Sequence, residues 1–432
     1  MLDNEKFKAL IGISENYEMP EKLMKILENQ EERESMFTIL ADQETDMSYD
    51  WFTDVYQQEH GDRDALKQDF TPSCLTECVA GLVGAHGSRH ADICAGTGGL
   101  TIAAWNKNPD RYYYCEEFSK RTIPVLLLNF AIRNMCGQVV HVDALTGEVF
   151  AVYDLVPGLR FSSIRAAPEP TGGPFDAVVM NPPYSMPWPD VEQYRTDARF
   201  ADYGVPPKKA ADYAFILHGL HKLQRGGRLW AIVPHGVLFR GGRELEIRKQ
   251  LLECGNIDTV IGVPNKLFLN TQIPVCLIGF GSGGCKSILM ADASNEYEEA
   301  GKQNRMTREH IERIWNCCKN RQEEKRYSSI VPIEKIREND YNLNIPRYVS
   351  TYIPEPVPDL LESLDELIQI EQEIEDAEYG FYDMMQQLTG TTEESEYQMQ
   401  RKMETDADNE IWNSIERMMA KKSKEATACI ST

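Results

Sequence analysis

An asparagine, two prolines and a tyrosine stand together at residues 181–184, directly after the apolar run FDAVVM at 175–180. The run is typical of a buried strand, which proline ends because it lacks the N–H that a sheet ladder requires. The amide oxygen of Asn181 and the carbonyl of Pro182 are two acceptors on a backbone that the prolines hold rigid. Such a pair could accept both hydrogens of an aromatic amine and aim its lone pair at an electrophilic methyl group.

Tyr184 adds a ring on which an extruded nucleobase could stack, and Pro183 restrains the backbone beside it. The turn follows the end of a strand, and that is the edge at which open α/β sheets bind ligands. We therefore assign a catalytic role to Asn181, Pro182, Pro183 and Tyr184. The other interpretation is that the segment is only a rigid exit from the sheet.

A glycine-rich turn lies upstream, in DICAGTGG at residues 92–99. Gly96, Gly98 and Gly99 would let the backbone approach a ligand closely, and a helix beginning after them would present free N–H groups. A tight connection without a ligand is the alternative. The phosphate-binding pattern GxxxxGK[ST] is absent from the sequence, which disfavours a P-loop nucleotide.

Acidic residues follow the next two apolar runs. Glu117 stands about 20 residues after the glycine turn, the spacing that suits an acceptor for the ribose hydroxyls of a nucleoside cofactor. Its neighbour Glu116 is interpreted as solvated. Asp143 ends the third run, where it could accept from an adenine amino group or simply cap a helix.

Apolar runs and amphipathic stretches alternate through the middle of the chain, which predicts a mostly parallel sheet covered by helices on both faces. The predicted strands lie at 91–94, 112–117, 139–144, 175–180, 228–234, 258–264 and 274–280, and the predicted helices at 120–135, 212–223 and 243–253.

Two regions of different character flank this middle part. Residues 1–66 are polar with apolar residues at helical spacing, which predicts an N-terminal helical cap. After a proline-rich linker, residues 351–432 predict an acidic helical, coiled-coil-like extension that packs on its own domain or on a partner. Its apolar stripe comprises Leu360, Leu364, Leu367, Ile370, Ile374, Phe381 and Leu388.

The composition restricts how this chain could hold a nucleic acid. Its formal net charge is −23, so general electrostatic attraction cannot supply the grip on phosphates. Lysines and arginines do concentrate between residues 208 and 249, and we expect some of them to flank the site. The eleven cysteines form no framework, and no apolar run approaches the roughly 18 residues of a membrane span, so we expect a cytoplasmic protein without a membrane partner.

Together these motifs resemble the modification (M) subunits of type I restriction-modification systems, which are S-adenosylmethionine-dependent DNA adenine-N6 methyltransferases. The resemblance covers roughly residues 67–350 and includes QDFTP at 68–72, DICAGTGG and NPPY, with PHGVLFRGG at 234–242, GVPNKLF at 262–268 and YNLNIPRYV at 341–349. The sequence departs from the family within the glycine turn, where Cys94-Ala95 reverses an Ala-Cys pair.

The resemblance implies a doubly wound Rossmann-like methyltransferase sheet over 67–350 and S-adenosylmethionine as the cofactor. The residues that it assigns to cofactor binding are Phe70, Thr71, Pro72, Asp92, Gly96, Thr97, Gly98, Gly99, Glu117, Asp143 and Asn181. It implies DNA as the substrate and a specificity (S) subunit as the partner that reads sequence, and it leaves a restriction (R) subunit open as a further partner.

Three other functions stay open on sequence alone: a stand-alone DNA adenine methyltransferase, a protein glutamine methyltransferase with a similar turn, and a non-catalytic assembly subunit. We interpret the loop from Ser185 to Lys209, with Trp188 and Tyr194, as a lid over an extruded base. His218 and His221 lack nearby carboxylate or thiolate partners in the sequence, and we predict no metal site.

Overall fold

A computed structural model describes residues 4–53, 71–85, 87–188, 192–269, 273–301, 303–351, 359–389 and 401. The chain divides into two compact units, residues 1–352 and 353–432. The first contains the predicted sheet, and the second contains the predicted C-terminal helix.

The described residues 4–53 contain three α-helices: α1 (Asn4–Ile11), α2 (Met19–Glu28) and α3 (Gln30–Gln43). Their apolar residues occur at helical spacing, and Leu23, Ile26 and Leu27 of α2 are buried as that spacing predicts. They share one hydrophobic cluster with the helix Ile123–Ile132 of the sheet domain. The predicted N-terminal cap therefore packs into the same compact unit as the sheet.

An eleven-stranded sheet forms the centre of the first unit, in the order β13-β10-β8-β9-β7-β6-β1-β2-β3-β4-β5. The strands are β1 (Arg89–Ile93), β2 (Tyr112–Glu117), β3 (Cys136–Val142), β4 (Val149–Val156), β5 (Ser163–Ala166), β6 (Phe175–Met180), β7 (Leu223–Pro234), β8 (Ile257–Gly262), β9 (Val275–Gly281), β10 (Ser287–Asp292) and β13 (Ser328–Pro332). A separate hairpin comprises β11 (Glu298–Ala300) and β12 (Gln303–Arg305).

The strand order confirms the predicted α/β fold, but the prediction of a mostly parallel sheet is only half right. The strands β3, β2, β1, β6 and β7 pair in parallel, as do β8 and β10, whereas β4, β5, β9 and β13 pair antiparallel with their neighbours. Parallel neighbours need a long crossover, usually a helix. The described residues between β8 and β9 include no helix, so β9 returns antiparallel beside β8.

Helices cover the sheet on both faces: α4 (Ser73–Val83), α5 (Gly99–Trp105), α6 (Ile123–Ile132), α7 (Asp212–Lys222), α8 (Arg243–Glu253), α9 (Arg308–Asn320) and α10 (Ile333–Glu338). Every residue of α6 is buried, since the sheet covers one side and the N-terminal helices cover the other. This double burial explains why its sequence is apolar all round instead of amphipathic.

The second unit is described over one long helix, α11 (Leu360–Thr389), as predicted. Its apolar side chains are exposed, from 44% at Leu364 to 72% at Leu360. The helix carries nine Asp and Glu residues and no Lys or Arg. Throughout the part of the chain that the structure describes, each helix is too short or too polar to cross a lipid bilayer.

His90 in β1 is a buried polar residue that costs stability. It is fully buried, and neither ring nitrogen has a hydrogen-bond partner. Burial, together with the nearby positive charge of Arg111, lowers the pKa of His90 from 6.5 to about 3. The folded state therefore excludes a proton that the unfolded state accepts below pH 6.5, so stability falls as the pH drops from 6.5 towards 3.

We predict that His90→Leu removes this pH dependence. In the wild type, protonation of His90 in the unfolded state should lower the free energy of unfolding by about 2 kcal/mol between pH 7 and pH 5. Urea unfolding of the wild type and the variant at both pH values measures the difference. An equal loss of stability in the two proteins would show that His90 does not titrate as described.

Candidate active site

The four central strands β6, β1, β2 and β3 end side by side. Ile93 pairs with both Glu116 and Met180, and Glu117 pairs with His141, so the strand ends coincide to within a few residues. Because the strands are parallel, the loops that follow them meet at one edge of the sheet. One cavity opens there, and all four loops line it.

Most of the predicted site residues line this cavity. They are Thr71, Gly96, Thr97, Gly99, Glu117, Asp143, Asn181, Pro182, Pro183 and Tyr184. Gly98 and Pro72 are not among the lining residues: Gly98 caps α5 and Pro72 caps α4. Phe70 lies outside the described residues.

The glycine turn requires its glycines for two reasons. Gly96 and Gly98 have φ of 58° and 96°, in the left-handed region that favours glycine. A Cβ on Gly98 would also lie 2.9 Å from Leu126 Cδ1. Cys94 adopts φ of 65° in the same turn, a conformation that costs a side-chain-bearing residue about 1–2 kcal/mol.

Glu117 holds the turn while it faces the cavity. Its Oε2 accepts from the Gly96 N–H at 2.8 Å and its Oε1 from the Ser119 N–H at 2.7 Å. Burial raises the pKa of Glu117 above its ordinary value, against the lowering effect of these hydrogen bonds. Each carboxylate oxygen can accept a second hydrogen bond, so both retain capacity for ligand hydroxyls.

Glu116 was interpreted as solvated, and this interpretation is wrong. The residue is 2% exposed, and it lies 2.7 Å from His218 Nε2 and 2.8 Å from Lys222 Nζ. Burial alone would raise the pKa of Glu116, but His218 and Lys222 hold it well below its ordinary value. His218 thus has a carboxylate partner that its sequence neighbours did not reveal.

Two predicted carboxylates differ in their placement. Asp143 lines the cavity, and its Oδ1 accepts from the Leu145 N–H at 2.9 Å. Asp92 is fully buried behind the turn and does not line the cavity. Its Oδ2 accepts from the Thr101 hydroxyl at 2.7 Å, and this bond fixes the start of α5. Burial raises the pKa of Asp92 to about 7.

The amide of Asn181 is held from two sides. Its Nδ2 donates to Thr71 Oγ1 at 2.9 Å, and its Oδ1 accepts from the Tyr184 hydroxyl at 2.7 Å. The first bond joins the Thr-Pro motif to the Asn-Pro-Pro-Tyr turn across 110 residues. The Tyr184 ring is 6% exposed and packs edge-on against Phe268, so the described conformation uses Tyr184 to orient Asn181.

Asp212 stabilises the backbone directly after the same turn. This carboxylate at the start of α7 is fully buried, and its Oδ1 accepts from the Ser185 N–H at 3.0 Å. Ser185 adopts a left-handed φ of 49°, which this bond helps to hold. Arg240 Nη2 lies 3.2 Å from the second oxygen of Asp212. Sequence reasoning missed Asp212 because its partner is far along the chain.

The predicted lid is packed in the described structure. Trp188 and Tyr194 are buried and stack with ring centroids 4.9 Å apart, and Phe200 packs against both. Residues 189–191 of this loop lie outside the described part of the chain. Met186 and Pro187 are the described loop residues that line the cavity.

The basic residues between 208 and 249 do not form one surface around the site. Arg225 and Arg228 lie near the amino end of β7, the edge opposite the cavity, so these two do not flank its mouth. Arg248 is buried. Lys208, Lys209 and Arg243 are exposed.

Further lining residues were not predicted. Phe118 is 45% exposed and follows Glu117 directly, a position that could have identified it. Thr53 lines the cavity from the N-terminal region, next to Asp50. Asp50 accepts from Thr97 in the glycine turn and from Asn129 in α6 at 2.9 Å. No signal in the sequence connects Asp50 to that turn.

We predict that Asp50→Ala loosens the glycine turn, because it leaves the donors of Thr97 and Asn129 without their acceptor. The expected cost is about 1–3 kcal/mol, with faster amide exchange at both 44–53 and 96–98. Asp42→Ala is the control, since Asp42 pairs with Arg160 on the surface and should cost at most about 1 kcal/mol. Equal effects of the two substitutions on turn exchange would contradict this role for Asp50.

Two curated relatives and one solved structure that this chain resembles are methylase or methyltransferase subunits. A curated relative, the type I restriction enzyme MpnII methylase subunit of Mycoplasma pneumoniae, is 28% identical over 348 residues, which is 76% of this chain and 61% of the relative. The MjaVIII methylase subunit of Methanocaldococcus jannaschii is 29% identical, over 70% of this chain and 53% of the relative. The chain thus spans about half to three fifths of the length of these relatives.

A solved structure agrees with these relatives. The type I restriction-modification system methyltransferase subunit from Streptococcus thermophilus superposes with a TM-score of 0.60 at 33% identity, covering 70% of this chain and 64% of that one. The profile of the family described as N-6 DNA Methylase matches residues 42–355. This match covers the glycine turn, the three carboxylates of the cavity (Glu116, Glu117 and Asp143) and the Asn-Pro-Pro-Tyr turn, and the chain belongs to the N-6 DNA Methylase family.

Proposed function

We propose that this chain transfers a methyl group from S-adenosylmethionine to the N6 amine of adenine in DNA, as the modification subunit of a type I restriction-modification complex. The observation that carries the proposal is that the Asn-Pro-Pro-Tyr turn and the glycine turn line one cavity. Family membership and the similar methylase subunits support the same reaction.

The residues of the cavity fit S-adenosylmethionine. The positive φ angles of Gly96 and Gly98 give a turn that a ligand can approach closely. Glu117 offers acceptors for ribose hydroxyls, and Phe118 offers an apolar surface for an adenine ring. The cofactor, when bound, supplies an electrophilic methyl group on its sulfonium sulfur.

The catalytic turn would then act on the target amine. The lone pair of an aromatic amine is delocalised into the ring, so the amine must be oriented before it can attack a methyl group. Thr71 fixes the amide of Asn181 with its nitrogen turned towards the Thr-Pro motif. The amide oxygen, which accepts from the Tyr184 hydroxyl, would be one acceptor for an amine hydrogen. The Pro182 carbonyl would accept the other hydrogen.

Target recognition is proposed to belong to a specificity subunit. The formal net charge of −23 disfavours a general electrostatic grip on DNA, which favours a partner that supplies the contacts to the base sequence. The apolar stripe of α11 is proposed as one docking surface. Its nine carboxylates and lack of Lys and Arg would make two copies repel each other, which favours a basic helical partner.

Replacing Asn181 with Ala should remove methyl transfer while cofactor binding stays nearly unchanged, because one of the two acceptors of the amine is lost. We expect the turnover rate to fall at least about 10²- to 10³-fold, as for the loss of one preorganised polar group. Calorimetry with S-adenosylhomocysteine measures binding, and Asn320→Ala, at the exposed end of α9, is the control. Equal losses of binding and turnover would contradict the assigned role.

The proposed function is tested in cells that make this chain with and without a candidate specificity subunit. Mass spectrometry should detect N6-methyladenine in their DNA only when both proteins are present. Methylation at a defined sequence by the purified chain alone would overturn the proposed partner. Absence of methylation by a complex that binds both DNA and cofactor would overturn the proposed reaction.

A further inference from the structure

A connected set of polar side chains joins the loop after the catalytic turn to the floor of the cavity. Its members are Asp197 and Arg199 in the loop, His218 and Lys222 on α7, and Glu116 at the end of β2. We call this set the Arg199 network. Its members are contributed by three separate segments of the chain, so its formation requires the folded structure.

Arg199 uses all five of its N–H groups within this network and its surroundings. Its Nε donates to the two Asp197 oxygens at 3.1 and 3.0 Å. Its Nη1 donates to the Ala144 carbonyl at 2.7 Å and to His218 Nδ1 at 3.1 Å. Its Nη2 donates to the Leu145 carbonyl at 2.9 Å and to Asp197 at 2.7 Å. The side chain is only 9% exposed.

These donors determine the state of the His218 ring. Arg199 has no acceptor, so His218 Nδ1 must accept, and the ring proton lies on Nε2. Nε2 donates to Glu116 Oε2 at 2.7 Å. Glu116 Oε1 accepts from Lys222 and from the Tyr114 hydroxyl, each at 2.8 Å. The network therefore ends on the residue directly before Glu117, the proposed ribose acceptor.

The carbonyls that Arg199 binds belong to the wall of the cavity. Ala144 and Leu145 line it and follow Asp143, the proposed acceptor for the adenine ring. On its other side, Arg199 holds the Asp197 turn of the loop that begins at Ser185, just after the catalytic turn. One guanidinium thus contacts both the cofactor wall and the loop beside the proposed base site.

We infer that Arg199 is a positioning residue that couples the loop after the catalytic turn to the adenosine side of the cofactor cavity. This inference rests on the proposed function, since it assigns the two ends of the network to cofactor and base. Cofactor binding would fix the Ala144 and Leu145 carbonyls in the wall of the cavity. Through Arg199 it would also fix the Asp197 turn of the loop that begins at Ser185.

Lysine cannot replace Arg199 in this arrangement. A lysine ammonium has three donors on one atom, whereas the guanidinium spreads five donors over a plane that reaches the two carbonyls, the His218 ring and Asp197 together. Arg199 also lowers the pKa of Asp197, chiefly by its hydrogen bonds, which is the expected effect of a close cation. Both the charge and the planar shape of the side chain are therefore required.

The test compares Arg199→Met and Arg199→Lys with the wild type, and uses Arg195→Met as the matched control because Arg195 is exposed on the same loop. Calorimetry measures the affinity of each chain for S-adenosylhomocysteine. With the specificity subunit present, binding of DNA is measured with and without S-adenosylhomocysteine, which gives the coupling between the two ligands.

We expect the affinity for S-adenosylhomocysteine to fall about tenfold in Arg199→Met, a loss within the usual range for coupled sites. The ratio of the DNA affinities measured with and without S-adenosylhomocysteine should fall towards one in both Arg199 variants. Arg195→Met should keep the wild-type affinity for S-adenosylhomocysteine. His218→Phe should resemble Arg199→Met, and His218→Gln, which retains one donor and one acceptor, should restore part of the coupling.

Unchanged affinity and coupling in folded Arg199→Lys and His218→Phe would overturn the inference, even if both variants unfold at lower temperature, because the network would then be only structural. A wild-type chain that binds no S-adenosylhomocysteine would overturn the proposed function instead. The two failures are therefore distinguishable.

Discussion

The parallel register of β6, β1, β2 and β3 is the constraint on which the rest of the site depends. Strands of equal direction end at the same edge, and here Ile93 is level with both Met180 and Glu116. The glycine turn, the acidic residues and the Asn-Pro-Pro-Tyr turn therefore converge although they are far apart in sequence. A shift of one residue in any pairing would turn the buried side chains of that strand to the other face of the sheet.

The convergence of these loops buries several polar side chains close together, and each of them needs a hydrogen-bond or ion-pair partner. Helix α7 supplies many of the partners: Asp212 at its start holds the backbone after the Asn-Pro-Pro-Tyr turn, and His218 and Lys222 near its end hold Glu116. Phe215, between them, lines the cavity. A single helix thus supports two parts of the cavity, and displacing it would disturb the Asn-Pro-Pro-Tyr turn and the end of β2 together.

The sequence predicted the α/β fold and the central strands because those strands are apolar runs that end at turn residues. It did not predict β4 and β5, although β4 is mostly apolar; these strands lie at the edge of the sheet, where only Val152 and Leu155 are buried. It identified Glu117 and Asn181 from their position after strands. It misjudged Glu116, and missed Asp50 and Asp212, since a buried carboxylate is recognised by distant partners that local pattern does not specify.

The central claim is that one cavity at the ends of these strands holds both the cofactor and the target amine. A crystal structure of the chain with its specificity subunit, S-adenosylhomocysteine and DNA tests it most directly. The account predicts ribose hydroxyls on Glu117 and the adenine N6 amine within hydrogen-bond distance of Asn181 Oδ1 and the Pro182 carbonyl. A cofactor bound elsewhere, or an adenine amine remote from Asn181, would contradict it.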